Sequence, residues 1–178
     1  MPSEKSIKAG LALIEADHTK ILGLTVGNHE SVQPGQYIPK ADARVPSGPR
    51  LFFHDASPSK TYLVVSLDID APFPSWRALG PILHWIQPNV KVAADESVLD
   101  TTAPFIANWI PPSPPPGSAP HRYTFFLYEQ PNGFRPEELT PPDGKNLSNW
   151  HRMRFDLDEW ARKHRLGPIL AFNYFTSN

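Results

Sequence analysis

Residues 61–72 read Thr61-Tyr62-Leu63-Val64-Val65-Ser66-Leu67-Asp68-Ile69-Asp70-Ala71-Pro72, and this stretch decides the fold class. Its first eight residues are nearly all apolar and rich in β-branched and aromatic types, the pattern of a strand covered on both faces. A proline then turns the chain, because its ring blocks continuation and removes a backbone donor. Working outward, Pro81-Ile82-Leu83-His84-Trp85-Ile86-Gln87-Pro88 predicts a second buried strand bounded by prolines, and Arg122 to Tyr128 a third, aromatic throughout. Leu51-Phe52-Phe53 and Ile169 to Phe175 add shorter strands. Residues 23–49, broken by Gly27-Asn28, Pro34-Gly35 and Ser47-Gly48-Pro49, read as edge strands and loops. Asn89 to Pro120 reads as one long connection, containing the polyproline-like loop Pro111-Pro112-Ser113-Pro114-Pro115-Pro116-Gly117. Helices are predicted only at the periphery. Ile7, Leu11, Ile14 and Ile21 recur at helical spacing within an amphipathic helix from Glu4 to Leu22, and Asp156-Leu157-Asp158-Glu159 opens a capped helix that runs to Leu166 and stops at Gly167-Pro168.

The composition agrees. A length of 178 residues suits one domain, 1–178, and 22 prolines with 10 glycines give about 18% against a usual ~12%, which excludes a helical bundle. Seventeen Lys and Arg against 18 Asp and Glu leave no bulk field to recruit nucleic acid or an anionic membrane. The absence of cysteine excludes disulfides, thiolate metal sites and a cysteine nucleophile. The residues after Met1 fit neither a signal peptide nor a spanning helix, so the expectation is a cytoplasmic protein with no stable membrane insertion. The common hydrolase, nucleotide and zinc-protease motifs are missing.

What remains is a set of polar residues at strand ends. Asp68 and Asp70 flank Ile69, and period-two alternation predicts both carboxylates on one face. His84 lies inside an apolar strand. His121 and Tyr123 share a face, whereas Arg122 points away and is expected to tie the sheet to a loop through an acid. Two imidazoles, a phenol and two carboxylates together suggest a small polar pocket in which charged imidazoles donate to a phosphate or carboxylate. The same groups allow two other readings. His84, His121 and Asp68 suit general acid–base catalysis of an isomerisation, cyclisation or hydration of a small organic molecule. Asp68, Asp70, His84 and His121 suit a zinc or iron site, though at no known metal spacing.

The segments Asp68-Ile69-Asp70-Ala71-Pro72, His84-Trp85, Gly117-Ser118-Ala119-Pro120-His121-Arg122-Tyr123, Arg154-Phe155 and Pro168 to Phe175 resemble the phosphatidylethanolamine-binding protein family, from about residue 51 to 175. That family includes Raf kinase inhibitor proteins and the yeast carboxypeptidase Y inhibitor. The resemblance implies a mainly β fold, a sandwich of two sheets with peripheral helices, and a pocket for phosphate, acetate or a phosphorylethanolamine head group. Carried over by position, the ligand-binding residues are Asp68, Asp70, Pro72, His84, Pro115, His121 and Tyr123, with Pro115 counted six residues back from His121. No cofactor or metal is implied. Two departures stand out: Ile69 occupies the family's usual proline position, and the chain stops at Asn178 without the C-terminal helix of the animal proteins. The expected role is a non-enzymatic regulator or inhibitor of a protein partner, a serine carboxypeptidase before a kinase, with the enzyme as the alternative.

Overall fold

The computed structural model describes residues 1–93 and 97–178. Its strands in chain order are β1 (Gly23–Thr25), β2 (Gln36–Tyr37), β3 (Arg50–Phe52), β4 (Tyr62–Asp68), β5 (Ile82–Val92), β6 (Val98–Asp100), β7 (His121–Glu129) and β8 (Ile169–Ser177). Among the described residues three α-helices, α1 (Glu4–Ala16), α2 (Lys40–Ala43) and α3 (Leu157–Lys163), lie around them.

Every residue of β4 is buried, and the strand is paired antiparallel on both sides, with β5 and with β7. Its alternation feeds two cores. Tyr62 and Val64 pack with Tyr123, Phe125, Leu127 and Phe175, while Leu63, Val65 and Leu67 pack with Phe126, Phe172 and the α1 residues Ile7 and Ile14. A strand buried on both faces has no solvent side to encode, so the sequence shows an unbroken apolar run there.

The strands follow the order β1-β3-β6-β5-β4-β7-β8-β2 in one curled, open sheet. The mainly β class with peripheral helices is as expected. The two sides of the sheet join in β5, whose residues as far as Val90 pair with β4 and whose Lys91 and Val92 pair with β6. Pro88 does not end β5. It falls at a register shift opposite the step from Tyr62 to Val64, and Asn89 beside it has φ +56°. The missing N–H thus coincides with a place where the ladder is already interrupted. The expected 89–120 connection is accordingly shorter, and it contains β6.

Helix α1 ends at Ala16, short of the expected Leu22. Asp17 is extended and its carboxylate accepts from Thr19 N at 2.9 Å, while Ile21 bridges to Phe172 of β8. The short α2, after Pro39, lies within the stretch read as loops and edge strands. Helix α3 starts on Asp156, whose carboxylate accepts from Asp158 N and Glu159 N, as the sequence predicts. Among the described residues no helix is long and apolar enough to cross a membrane.

Candidate functional site

Strands β4, β5 and β7 bring their ends together. Asp68 closes β4 opposite Ile82 of β5 and Tyr123 of β7, His84 is the third residue of β5, and His121 is the first of β7. The proline-rich segment folds over these ends, held by Ile110 N donating to His84 O (3.0 Å) and Lys40 Nζ donating to Pro114 O (3.2 Å). Asn149, Arg152 and Met153 form the remaining wall, and a cavity of about 290 Å³ results. Asp68, Pro72, His84, Pro115 and His121 all line it, five of the seven positions singled out in the sequence. Tyr123 lies behind this wall: its ring packs edge-on against His84 with centroids 5.1 Å apart, and its hydroxyl is buried.

Asp70 lies elsewhere. Beyond the end of β4 the alternation no longer applies, and Asp70 N donates to Asp68 Oδ1 (2.9 Å) in an aspartate turn. Its carboxylate takes Arg122 Nε (2.7 Å), Nη2 (2.6 Å) and backbone N (3.0 Å). The two carboxylates are therefore not presented side by side to a ligand. Asp70 is instead the acid through which Arg122 ties sheet to loop. Ile69 contributes its N–H to Arg122 O at 3.2 Å, a bond that a proline at this position lacks the donor to make.

The two imidazoles differ in their partners. His121 Nδ1 donates to Asp68 Oδ2 (2.8 Å), and Ser118 Oγ lies 2.8 Å from Nε2, so both ring nitrogens are engaged. Ser118, His121 and Asp68 form a line such as acyl-transfer enzymes use, but Ser118 is not on the cavity wall. His84 Nδ1 donates to Ile110 O at 2.7 Å. Burial pushes the His84 imidazole down, outweighing the pull of Asp68, so it is neutral at pH 7 and offers an acceptor at Nε2. The expectation that both imidazoles charge to meet an anion is therefore corrected at His84. Burial, with the charge of Asp68 adding to it, pushes the Tyr123 phenol up, which keeps its O–H a donor.

The positive charge comes from a residue not singled out in the sequence. Arg152 lines the cavity, is 1% exposed, and has no carboxylate within ion-pair distance among the described residues. Its guanidinium donates to the carbonyls of Leu147, Leu83 and Asn108, each at 3.1 Å, and to the Asn108 side chain. Burial pushes it down to about 10, so it remains charged at neutral pH. The available signal was the stretch 147–155, which contains Arg152, Arg154 and His151 and no acid. Among the described residues no three His, Cys, Asp or Glu side chains converge as a metal site, since Asp68, Asp70, His84 and His121 are each committed to other partners.

The buried Arg152 cation and the His84 imidazole acceptor thus line a space bordered by prolines. Known proteins share this framework. The chain is 29% identical over 171 residues to phomoidride biosynthesis cluster protein N of Talaromyces stipitatus, covering 86% of this chain and 82% of that one. It is 27% identical over 154 residues to the carboxypeptidase Y inhibitor of Saccharomyces cerevisiae, covering 78% of this chain and 64% of the yeast protein. The crystal structure of carboxypeptidase Y inhibitor complexed with its cognate proteinase superposes with a TM-score of 0.69 at 23% identity, over 99% of this chain and 96% of that one. The family model for phosphatidylethanolamine-binding protein matches residues 28–175, reaching beyond the segment from 51 onward that the motifs cover. With sequence, fold and family model agreeing over most of its length, the chain belongs to the phosphatidylethanolamine-binding protein family.

Proposed function

We propose that the chain is a non-enzymatic binding module whose cavity holds a small phosphate- or carboxylate-bearing group, such as a phospholipid head group, and whose surroundings dock a protein partner, a serine carboxypeptidase first. The observation that carries this reading is the Arg152 charge on the cavity wall, buried and without a carboxylate at ion-pair distance among the described residues. A buried uncompensated cation is costly, and a bound anion relieves that cost. The name of the yeast relative and the proteinase complex of the structural neighbour support the inhibitor role.

Titration calorimetry with inorganic phosphate and phosphorylethanolamine tests the pocket. Arg152→Gln removes the charge on the cavity wall and keeps an amide that can donate to the surrounding carbonyls, so anion affinity should fall at least tenfold. Because the charge comes from Arg152, binding should persist from pH 7 to pH 8. No saturable binding to the wild type overturns the reading. Inhibition of a serine carboxypeptidase by the purified protein tests the partner.

A further inference from the structure

The walls of the cavity constrain its ligand further than its charge does. Ala71, Pro72, Ile82, Ile110, Pro115 and Met153 present apolar surface to the same space that Arg152 enters. The volume of about 290 Å³ equals roughly ten water volumes at ~30 Å³ each. An inorganic phosphate has five heavy atoms and leaves about half of that space unfilled against apolar walls.

The polar groups are selective too. Asp68 is the one carboxylate on the wall, and both its oxygens are taken, Oδ1 by Asp70 N and Oδ2 by His121 Nδ1. An ammonium group would find only this already bonded carboxylate there and would meet the charge of Arg152, which has no ion-pair partner among the described residues. A head group with an amine therefore matches the cavity poorly at its amine end.

Resting on the anion-pocket reading above, we infer that the preferred ligand is an organic monocarboxylate with a compact apolar body of about four to six carbons. Its carboxylate faces Arg152, and its body lies against Ile82, Ile110, Met153 and the prolines. Such a group occurs both as a free short-chain acid and as the C-terminal residue of a peptide ending in an aliphatic side chain.

Calorimetry on the full chain with acetate, butyrate and hexanoate, beside N-acetylleucine, inorganic phosphate and phosphorylethanolamine, tests this. Affinity is expected to rise about threefold per added methylene as apolar area is buried, with hexanoate or N-acetylleucine binding at least tenfold more tightly than phosphorylethanolamine. The tighter of those two identifies the free acid or the peptide terminus as the source. Met153→Gln, at a half-buried wall position, should flatten the chain-length series and leave phosphate affinity unchanged. Phosphate binding with no gain from acetate to hexanoate in the wild type overturns this inference and leaves the anion pocket standing. Binding of none of the six compounds overturns both.

Discussion

At the scale of single residues, the site is set by which polar groups are already satisfied. His84 has a pKa lowered by burial, so as pH falls the unfolded chain takes up a proton before the folded one does. Its contribution to stability is therefore full above about pH 6.5 and is lost as pH falls through that value toward the folded-state pKa. His84→Asn keeps an N–H for the Ile110 carbonyl and removes the titration. Urea unfolding at pH 7.5 and 5.5 should show a smaller loss of stability in this variant than in the wild type. Arg122 gives the complementary case, since its guanidinium neutralises the buried Asp70 away from the cavity. Arg122→Ala should cost about 2 kcal/mol in the same assay, with phosphate affinity unchanged. An affinity loss there would mean that Asp70 faces the ligand after all. The Arg122 tie was legible because alternation along one strand separates it from His121 and Tyr123. Arg152 was not, because its acceptors come from residues 83, 108 and 147, and nothing local in the sequence marks an arginine that binds carbonyls.

At the scale of elements, the two longer helices cap each other. Ser3 Oγ accepts from Leu157 N at 2.8 Å at the start of α3, and the Asp158 carboxylate accepts from Lys5 N (2.9 Å) and Ser6 N (2.7 Å) at the start of α1. Asp158→Ala frees two amides of α1 and should lower stability by about 1–2 kcal/mol, read by thermal unfolding. Between α1 and the sheet the contact is closer still. A Cβ on Gly10 would stand 2.5 Å from Phe172 Cδ2 of β8, so Gly10→Ala should cost about 1–3 kcal/mol even though alanine favours the helix by about 1 kcal/mol. Strands β4 and β7 were legible because their apolar runs have one interpretation at that length. The end of α1 was not, since Ile21 fits the helical spacing and the bridge to Phe172 equally well. The continuation of β5 past Pro88 depends on a register shift fixed by its neighbour β4, which a single strand does not encode.

At the scale of the whole molecule, near-neutral charge conceals a local imbalance. The cavity-bordering segments 71–81, 110–120 and 147–155 contain Arg77, Arg152 and Arg154 and no Asp or Glu, in a chain of 17 basic and 18 acidic residues. Composition averages over these segments, and only the fold brings them together, with Arg154 N donating to Leu79 O at 3.0 Å. The same segments carry two of the most exposed large side chains: Trp76, 64% exposed and four residues beyond the cavity-lining Pro72, and Trp150, 82% exposed and next to the cavity-lining Asn149. Exposed tryptophans and arginines are the residue types that dominate protein–protein contacts. If the module docks a serine carboxypeptidase through this face, the double variant Trp76→Ala and Trp150→Ala should inhibit it at least tenfold more weakly. Its melting temperature and phosphate affinity should match the wild type, because both side chains are at the surface and neither lines the cavity. The wild-type association rate should also fall as salt is raised from 50 to 500 mM, since screening removes the attraction of Arg77 and Arg154 for an acidic partner surface. Inhibition that survives both the tryptophan substitutions and high salt would place the docking surface on another side of the sheet.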